Sequence, residues 1–231
     1  MSKRRKPEQD RNQTEETEEF VIGRHPVREA LESDREINKL FVQDGIGGRA
    51  IDDIVAAATR KKIVISFVPK SKLDTLSDFQ NHQGVVLSSS PVEYATIDEL
   101  FEVAEERGER PFFVMLDGLE DPHNLGSIIR TADATGVHGV IIPNRRSANL
   151  TSTVSKSSAG AIEHVKVARV TNLSQTIQEL KDRGLWIFGT DMNGTDYRDW
   201  NTDSPLCLII GNEGKGMSRL VKENVDEMVT I

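Results

Sequence analysis

The sequence has a single cysteine and no long apolar run, and each absence excludes a class of protein. With only Cys207 among 231 residues, a disulfide framework and a cysteine-rich metal site are both excluded. No apolar stretch approaches the roughly 18 to 20 residues that a membrane-spanning helix needs, and the N-terminus is charged. Cys207 lies in the apolar run PLCLIIG, so we expect it in a buried core. Together these features predict a protein of the reducing cytoplasm.

An excess of positive charge is also lacking, so the chain as a whole does not have the charge of a nucleic-acid binder. Lysine and arginine number 29 against 37 acidic residues, which gives a net charge of -8. Residues 89–111 hold seven acids and two arginines, a net of -5, whereas residues 20–88 hold ten basic and nine acidic residues, a net of +1. The first folded part can therefore carry a basic patch. The candidates are Arg60, Lys61, Lys62, Lys70 and Lys72. A solvated helix end explains these residues equally well.

The N-terminal part of the chain predicts a tail followed by a small α/β domain. Residues 1–19 are polar and charge-dense and should be disordered. KRRK at 3–6 could touch RNA phosphates, although a solvating tail is the simpler explanation. Over residues 20–88, helical spacing in HPVREALE and RAIDDIVAAATRK alternates with the strand patterns INKLFV, IVISFV and GVVL, and SKLDTLSD predicts a short capped helix. Such alternation is typical of a small α/β unit.

Residues 89–110 predict a connection, and residues 111–231 predict a second domain. SSSPVEYAT indicates a linker, and IDELFEVAEERG indicates an acidic helix that ends at Gly108. After Pro111 the strand patterns are FFVML, VHGVII, VKVARV, LWIFGTD, PLCLIIG and EMVTI. Helical patterns lie between most of them, as in NLSQTIQELKDR. This order predicts a mostly parallel sheet with helices on both faces.

Two loops at strand ends stand out, because ligands of open α/β sheets bind at the carboxyl ends of the strands. They are DGLEDPHN and the glycine-rich GNEGKGMS. Gly211 and Gly216 have the spacing of a phosphate-binding P-loop, but Met217 stands where its lysine belongs. A dinucleotide-binding fingerprint is absent too. Glu213 has little structural reason to lie between glycines, which favours a functional site over a flexible turn.

The helix predicted from Asn124 to Thr135 has one apolar face, formed by residues at i, i+3, i+4 and i+7. Arg130 should point away from that face, and Asn124 at the loop–helix junction can cap the helix. Taken singly, Asn124 is explained as a helix cap and Arg130 as a solvated side chain. Their occurrence beside the two loops favours a common site.

These stretches resemble a known family. DPHNLGSIIRTADATG and LIIGNEGKGMS are similar to the first two sequence motifs of the SpoU family of the SPOUT superfamily. Its members are S-adenosylmethionine-dependent RNA ribose 2′-O-methyltransferases. VIGRHPVREAL and HQGVV resemble that family's small N-terminal substrate-binding domain, and the likeness is greatest to bacterial large-subunit rRNA guanosine methyltransferases. The implied fold is a small α/β substrate-binding domain followed by a mostly parallel, knotted α/β methyltransferase domain, assembled as a homodimer.

The resemblance also implies roles for individual residues. The catalytic candidates are Asn124, Arg130 and Glu213, and the cofactor-binding candidates are Thr190, Gly211 and Ile231. Arg145 and Arg146 after their strand could hold RNA phosphates, and the basic run Arg60, Lys61 and Lys62 is an RNA-binding candidate on its charge. Because arginine rarely gives up its proton, we expect Arg130 to stabilise the developing alkoxide or to align it through a phosphate. No metal is implied.

One departure and two alternatives accompany this resemblance. The family's third motif should follow EMVTI, where this sequence stops at Ile231, so we expect an incomplete cofactor pocket and a weakened dimer. A SPOUT-like RNA-binding protein that has lost its cofactor and serves ribosome assembly is one alternative. A P-loop nucleotide hydrolase is the other, weakened by Met217.

Overall fold

The computed structural model describes residues 20–33 and 35–230. The predicted disordered tail over residues 1–19, with its KRRK sequence, and the cofactor candidate Ile231 lie outside the described residues. Helices and strands alternate through the described chain, as the sequence pattern predicts, and they form two sheets.

The first sheet contains four strands and packs against three helices. The elements are β1 (Phe20–Ile22), α1 (Arg24–Glu32), β2 (Ile37–Gln43), α2 (Arg49–Arg60), β3 (Ile65–Val68), α3 (Lys70–Leu76) and β4 (Val85–Ser89). The strand order is β1-β4-β2-β3, with β2 and β3 parallel and the other pairs antiparallel. Only β1 lacked a sequence signal, because three residues carry no periodicity. The expected cap of α3 is wrong: Pro69 precedes the helix and has no side-chain acceptor.

The helical spacing of α1 and α2 places their apolar residues over this sheet. Val27, Leu40 and Ile54 are no more than 1 % exposed and belong to one core cluster. Burial of each such side chain contributes about 1.5–3 kcal/mol relative to exposure. The unit therefore has a hydrophobic core of its own.

The second sheet is parallel throughout. Its elements are α4 (Ile97–Arg107), β5 (Phe112–Asp117), α5 (Pro122–Ala134), β6 (Gly139–Pro143), α6 (Ser152–Ser157), β7 (Val167–Val170), α7 (Leu173–Asp182), β8 (Trp186–Asp196), β9 (Leu206–Gly211), α8 (Arg219–Lys222) and β10 (Glu227–Thr230). The strand order is β10-β8-β9-β5-β6-β7, and each neighbouring pair runs parallel. The predicted mostly parallel α/β fold is confirmed.

Both faces of this sheet are covered, as the apolar strands predict. Along β5, Val114 and Leu116 join the core on the face of α5 and α6, whereas Phe113 and Met115 join the core on the face of α4 and α7. Cys207 is fully buried in the second of these cores, as expected, and burial raises the pKa of its thiol.

A polar joint connects the two units. Asn38 Nδ2 of β2 donates to Leu150 O at 2.8 Å, and Tyr94 Oη donates to Asn38 Oδ1 at 2.7 Å. Leu150 N donates to Tyr94 Oη at 2.9 Å, and Arg169 Nη2 of β7 donates to Ile37 O at 3.1 Å. The stretch predicted as a linker is therefore anchored to both sheets at Tyr94.

Candidate active site

The two loops singled out in the sequence meet at the carboxyl edge of the second sheet. Strands β5 and β9 are neighbours in register, so that Asp117 pairs with Gly211 at their ends. The loop after β5 and the glycine-rich loop after β9 consequently start side by side. This is the edge at which open α/β sheets bind ligands.

Asn212 fixes the shape of the glycine-rich loop. Its side-chain Oδ1 accepts hydrogen bonds from Gly214 N at 3.0 Å and Lys215 N at 3.1 Å. Its Nδ2 donates to Gly118 O, in the loop after β5, at 2.9 Å. One amide thereby holds both loops together. Because it occupies two backbone N–H groups that a P-loop would turn towards phosphate, the geometry also argues against the nucleotide-hydrolase alternative.

The glycines of this loop have specific packing reasons. Asn212 and Gly216 exchange both backbone hydrogen bonds, at 3.0 and 2.7 Å, and Gly216 has a left-handed φ of 66°. A Cβ added at Gly211 would lie 2.4 Å from Met217 N, so only glycine allows the backbone to close here. Gly211 is thus required by the loop's own fold, whatever it contacts in a ligand.

A cavity of about 620 Å³ opens between this loop, β8 and β10. The register of β10 against β8 jumps within two residues: Met228 pairs with Gly189, whereas Val229 pairs with Thr195. The intervening residues of β8 therefore bulge outward and form one wall. Two cofactor candidates, Thr190 and Gly211, line this cavity together with Glu213. Thr190 Oγ1 donates to Ile209 O at 3.2 Å and keeps its lone pairs for a ligand.

A second cavity, of about 510 Å³, lies beside the first and contains Asn124. The segment Asn212–Gly214 lines both cavities, so the two are neighbours across the glycine-rich loop. Asn124 and Glu213, two of the three catalytic candidates, line this second cavity together.

Asn124 does not cap its helix, which corrects the prediction from the sequence. Helix α5 begins two residues earlier, at Pro122, and the cap is Asp121, whose Oδ1 accepts from His123 N at 2.8 Å. Asn124 lies in the first turn with its side chain exposed. Its amide is therefore available to a ligand.

Arg130 lies on the exposed face of α5, as predicted, but lines neither cavity. It follows Asn124 by six residues, which is about 9 Å along the helix axis. In a single chain, therefore, Asn124 and Glu213 line the same cavity, whereas Arg130 lies outside it on the exposed face of α5.

The RNA-binding candidates lie in two places. Arg145 and Arg146 are exposed directly after β6, at the same carboxyl edge as both cavities. Arg60 is exposed at the end of α2, Lys61 and Lys62 are exposed between α2 and β3, and Lys61 Nζ donates to Ser33 O at 2.8 Å at the end of α1. Lys61 thus has a structural partner of its own.

Two carboxylates near the site escaped the sequence analysis. Asp117 is 9 % exposed, and its Oδ2 accepts from Ser218 N at 2.6 Å, which ties the end of β5 to the start of α8. Asp191 in the bulge of β8 pairs with Lys222. The pKa of Asp191 lies below its ordinary value because Lys222 and then Asn193 N donate hydrogen bonds to it. In the sequence, the only sign of these two carboxylates is that each aspartate follows an apolar strand pattern.

Among residues 20–33 and 35–230, no group of three or more His, Cys, Asp or Glu side chains could hold a metal ion. In the same part of the chain, no helix is long and apolar enough to cross a membrane.

Comparison with known families and proteins gives matches over both units. Residues 111–231 match the SpoU rRNA methylase family, and residues 20–95 match the family described as RNA 2′-O ribose methyltransferase substrate binding. YacO of Bacillus subtilis (strain 168), named as a TrmH family tRNA/rRNA methyltransferase, is 50% identical over 214 residues, which are 92% of this chain and 86% of YacO. A protein of Staphylococcus aureus (strain MSSA476) assigned to the same family is 53% identical over 212 residues, 91% of this chain and 85% of that protein.

Solved structures share the fold. The SpoU methyltransferase AviRb of Streptomyces viridochromogenes, solved with AdoMet, has a TM-score of 0.54 and 23% identity, covering 92% of this chain and 79% of AviRb. An AdoMet-bound rRNA methyltransferase of Sinorhizobium meliloti has a TM-score of 0.53 and 23% identity, covering 92% of this chain and 77% of that one. The predicted family resemblance and fold class are confirmed.

Proposed function

Because the chain belongs to the SpoU rRNA methylase family, we propose that it transfers the methyl group of S-adenosylmethionine to a ribose 2′-hydroxyl of RNA. The observation that carries this proposal is the pair of neighbouring cavities at the carboxyl edge of the parallel sheet, which share the segment Asn212–Gly214. A methyl donor in one cavity and a ribose in the other meet across this segment. Catalysis then consists largely of holding the two reactants in line.

The side chains around the larger cavity suit S-adenosylmethionine. When bound, this cofactor supplies a methyl group on a positively charged sulfur. Glu213 presents a carboxylate to a cationic ligand, and Lys215 presents an ammonium to its carboxylate, whereas the Asp191 carboxylate already pairs with Lys222. The Thr190 hydroxyl and the backbone around Gly211 offer hydrogen bonds. These residues would hold and orient the cofactor.

Asn124 and Arg130 are assigned to the ribose and its neighbouring phosphate. A 2′-hydroxyl is a weak acid, so the negative charge that develops on its oxygen has to be stabilised. The exposed amide of Asn124 can hold the ribose hydroxyl in the second cavity. Arg130 stays protonated and acts through its positive charge, on the alkoxide or on a phosphate. Because Arg130 lines neither cavity, the enzyme would need RNA or a second copy of the chain in a homodimer to complete the site.

Within RNA, we assign the substrate to a guanosine of large-subunit rRNA, on the subgroup likeness of the motifs. The relatives' names include both tRNA and rRNA, so the assay has to offer both. Arg145 and Arg146 are placed to hold RNA phosphates at the edge of the site.

The test is methyl transfer from labelled S-adenosylmethionine to total rRNA and, separately, to total tRNA. Ribose methylation protects the adjacent phosphodiester from alkali, so label should appear in alkali-resistant dinucleotides of large-subunit rRNA. Glu213→Gln and Asn124→Ala should each lower this transfer at least tenfold. Label confined to alkali-labile nucleotides would contradict ribose methylation, and label confined to tRNA would contradict the rRNA assignment.

The cofactor-free RNA-binding protein is the second candidate, and the exposed position of Arg130 outside both cavities favours it. Calorimetric titration with S-adenosylmethionine separates the two candidates. Binding that is lost in Thr190→Ala or Glu213→Gln supports the enzyme, whereas RNA binding without any cofactor binding supports the alternative.

A further inference from the structure

A cleft in the N-terminal unit lies far from the basic residues singled out in the sequence. Strands β2 and β3 are parallel, and at their carboxyl ends a cleft of about 420 Å³ opens under the loop of residues 77–84. Lys61 lies at the opposite end of β3, where it contacts Ser33 beside α1. The two regions therefore belong to opposite ends of the first sheet.

The loop over this cleft is held in one unusual conformation. Asp78, Phe79 and Gln83 have left-handed φ values of 48°, 57° and 52°, which non-glycine residues rarely adopt. Buried His82 fastens the loop: its Nδ1 accepts from Gly84 N at 2.9 Å, so its Nε2 carries the hydrogen that is shared with Asp74 Oδ1 at 3.0 Å. Non-glycine residues in left-handed conformations persist where surrounding contacts fix them, and they cluster at functional sites.

This conformation presents an aromatic ring to solvent. Phe79 is 81% exposed although it lies at the rim of the cleft. A phenylalanine this exposed contributes little to the core, so packing does not explain it. Its ring is a flat surface on which a nucleobase can stack.

Polar and cationic groups surround the same cleft. The exposed side chains of Gln80 and Asn81 line it and make no hydrogen bond within the described part of the chain. Arg24 Nε donates to Gln83 O at 3.0 Å, which leaves the rest of its guanidinium facing the cleft. Lys70 adds a second positive charge. The amides can read the edge of a base, and the two cations can hold its phosphates.

A cationic groove continues from this cleft. Arg24 also lines a neighbouring cavity of about 370 Å³ between α1 and α2, together with Arg28 and Arg49. Asp53 lines this cavity as well, so three arginines against one carboxylate leave a net positive charge along the surface from Phe79 past Arg24 to Arg49. Such a track suits the phosphate backbone of a strand whose base enters the cleft.

We propose that this cleft binds one unpaired base of the RNA substrate, with Phe79 stacked on the base and the amides of Gln80 and Asn81 reading its edge. Arg24, Lys70 and Arg49 hold the flanking phosphates. The proposal rests on the proposed function, since it takes the substrate to be RNA. It assigns substrate recognition to this end of the first sheet and not to Arg60, Lys61 and Lys62.

The test uses the whole chain and an RNA hairpin with 2-aminopurine in a single-stranded loop, followed by fluorescence anisotropy and by quenching of the 2-aminopurine. Removing one stacked base contact should weaken binding roughly 5- to 150-fold. Phe79→Ala should therefore raise the Kd by such a factor and abolish the quenching, while Phe79→Tyr, which keeps the ring, should restore both. Phe67→Ala is the matched control, because Phe67 is 59% exposed on β3 and does not line the cleft.

Different outcomes contradict the base-binding cleft and the proposed enzymatic function. A Phe79→Ala chain that keeps wild-type Kd and quenching overturns the base-binding cleft, and a larger loss in a Lys61→Ala, Lys62→Ala double variant moves recognition to the other end of the sheet. If Phe79→Ala weakens hairpin binding but the unaltered chain transfers no methyl group to any RNA, the cleft stands and the proposed enzymatic function does not. An unaltered chain that binds no RNA overturns both.

Discussion

At the scale of single residues, Asn212 shows how one side chain determines the shape of a site. Its amide makes three hydrogen bonds, to Gly118, Gly214 and Lys215, and these join the loops after β5 and β9. An alanine at this position leaves two backbone N–H groups and one carbonyl without their partner. A lost partner costs about 1–3 kcal/mol when the group is buried and less when water replaces it.

We therefore expect Asn212→Ala to weaken S-adenosylmethionine binding at least tenfold while lowering the free energy of unfolding by about 1–2 kcal/mol. Calorimetric titration and urea unfolding measure the two quantities. Asn201→Ala is the control, because Asn201 accepts a local hydrogen bond from Asp203 N in an exposed turn. Equal cofactor affinity in Asn212→Ala would show that the glycine-rich loop keeps its shape without this amide.

Arg130 gives a second prediction at this scale. Its side chain is exposed on α5, and exposed substitutions usually change stability by no more than about 0.5 kcal/mol. Arg130→Ala should therefore unfold at nearly the wild-type urea concentration while its methyl transfer falls by at least two orders of magnitude, an effect of the size seen when one charge-stabilising group is removed. Arg107→Ala, an exposed arginine at the end of α4, should keep both properties. Full turnover in Arg130→Ala would remove the residue from the mechanism.

At the scale of helices and strands, the close crossing of α5 and α6 sets the position of Asn124. A Cβ added at Gly126 would lie 2.7 Å from the Cβ of Ser157 and 2.9 Å from Ser158 N. A glycine inside a helix normally costs about 1 kcal/mol relative to alanine. The close contact between α5 and α6 therefore requires glycine at position 126, although glycine lowers the intrinsic stability of the helix.

Gly126→Ala tests which of these effects prevails. Helix propensity alone would add up to about 1 kcal/mol, whereas overpacking of a tight contact removes about 1–3 kcal/mol. We expect a net loss of stability in urea unfolding and, because α5 is displaced, weaker methyl transfer. The control is Gly47→Ala, where an added Cβ meets nothing within 4 Å. A stabilised Gly126→Ala protein would mean that the two helices separate at little cost.

The same scale shows what the sequence could predict. Periodicity indicated the buried faces of α2 and α5 and the parallel sheet, because local patterns record which side chains face a core. The cap of α5 was misassigned to Asn124, since Asp121 and Asn124 are both good caps and only the path of the chain decides between them. The contacts by which Asp117 and Asn212 join separate loops could not be predicted, because Ser218 lies 101 residues from Asp117 and Gly118 lies 94 residues from Asn212 in the chain. The bulge of β8 likewise depends on its pairing with β10.

At the scale of the whole molecule, the joint between the two units determines how an RNA bound to both would be held. The Tyr94 hydroxyl lies between Asn38 of the first unit and Leu150 of the second, and the Arg169 guanidinium lies 4.0 Å from the centre of the Tyr94 ring. The proposed base-binding cleft is at the far end of β2 from Asn38. A fixed joint therefore holds the cleft at a set distance from the proposed methyl-transfer site.

The contribution of the joint to the stability of the protein should depend on pH. Burial raises the pKa of Tyr94 from 10.0 to about 12, against the smaller opposing effect of Arg169. Below about pH 10 the phenol is protonated in both the folded and the unfolded chain. Between about pH 10 and 12 only the unfolded chain loses the proton, so this contribution to stability, up to about 3 kcal/mol, should decline as the pH rises through that window.

The comparison with Tyr94→Phe isolates this contribution, because lysines and other groups that titrate in the same range are common to both proteins. At pH 8 the phenylalanine variant should be less stable by about 1–3 kcal/mol, since Asn38 Oδ1 and Leu150 N lose their partner. The difference between the two proteins should then shrink as the pH rises from 10 to 12, because only the tyrosine chain has a proton to lose. Urea unfolding at intervals of half a pH unit measures this difference. If it stays constant to pH 12, Tyr94 titrates alike in the folded and unfolded chains, and the joint is open to water.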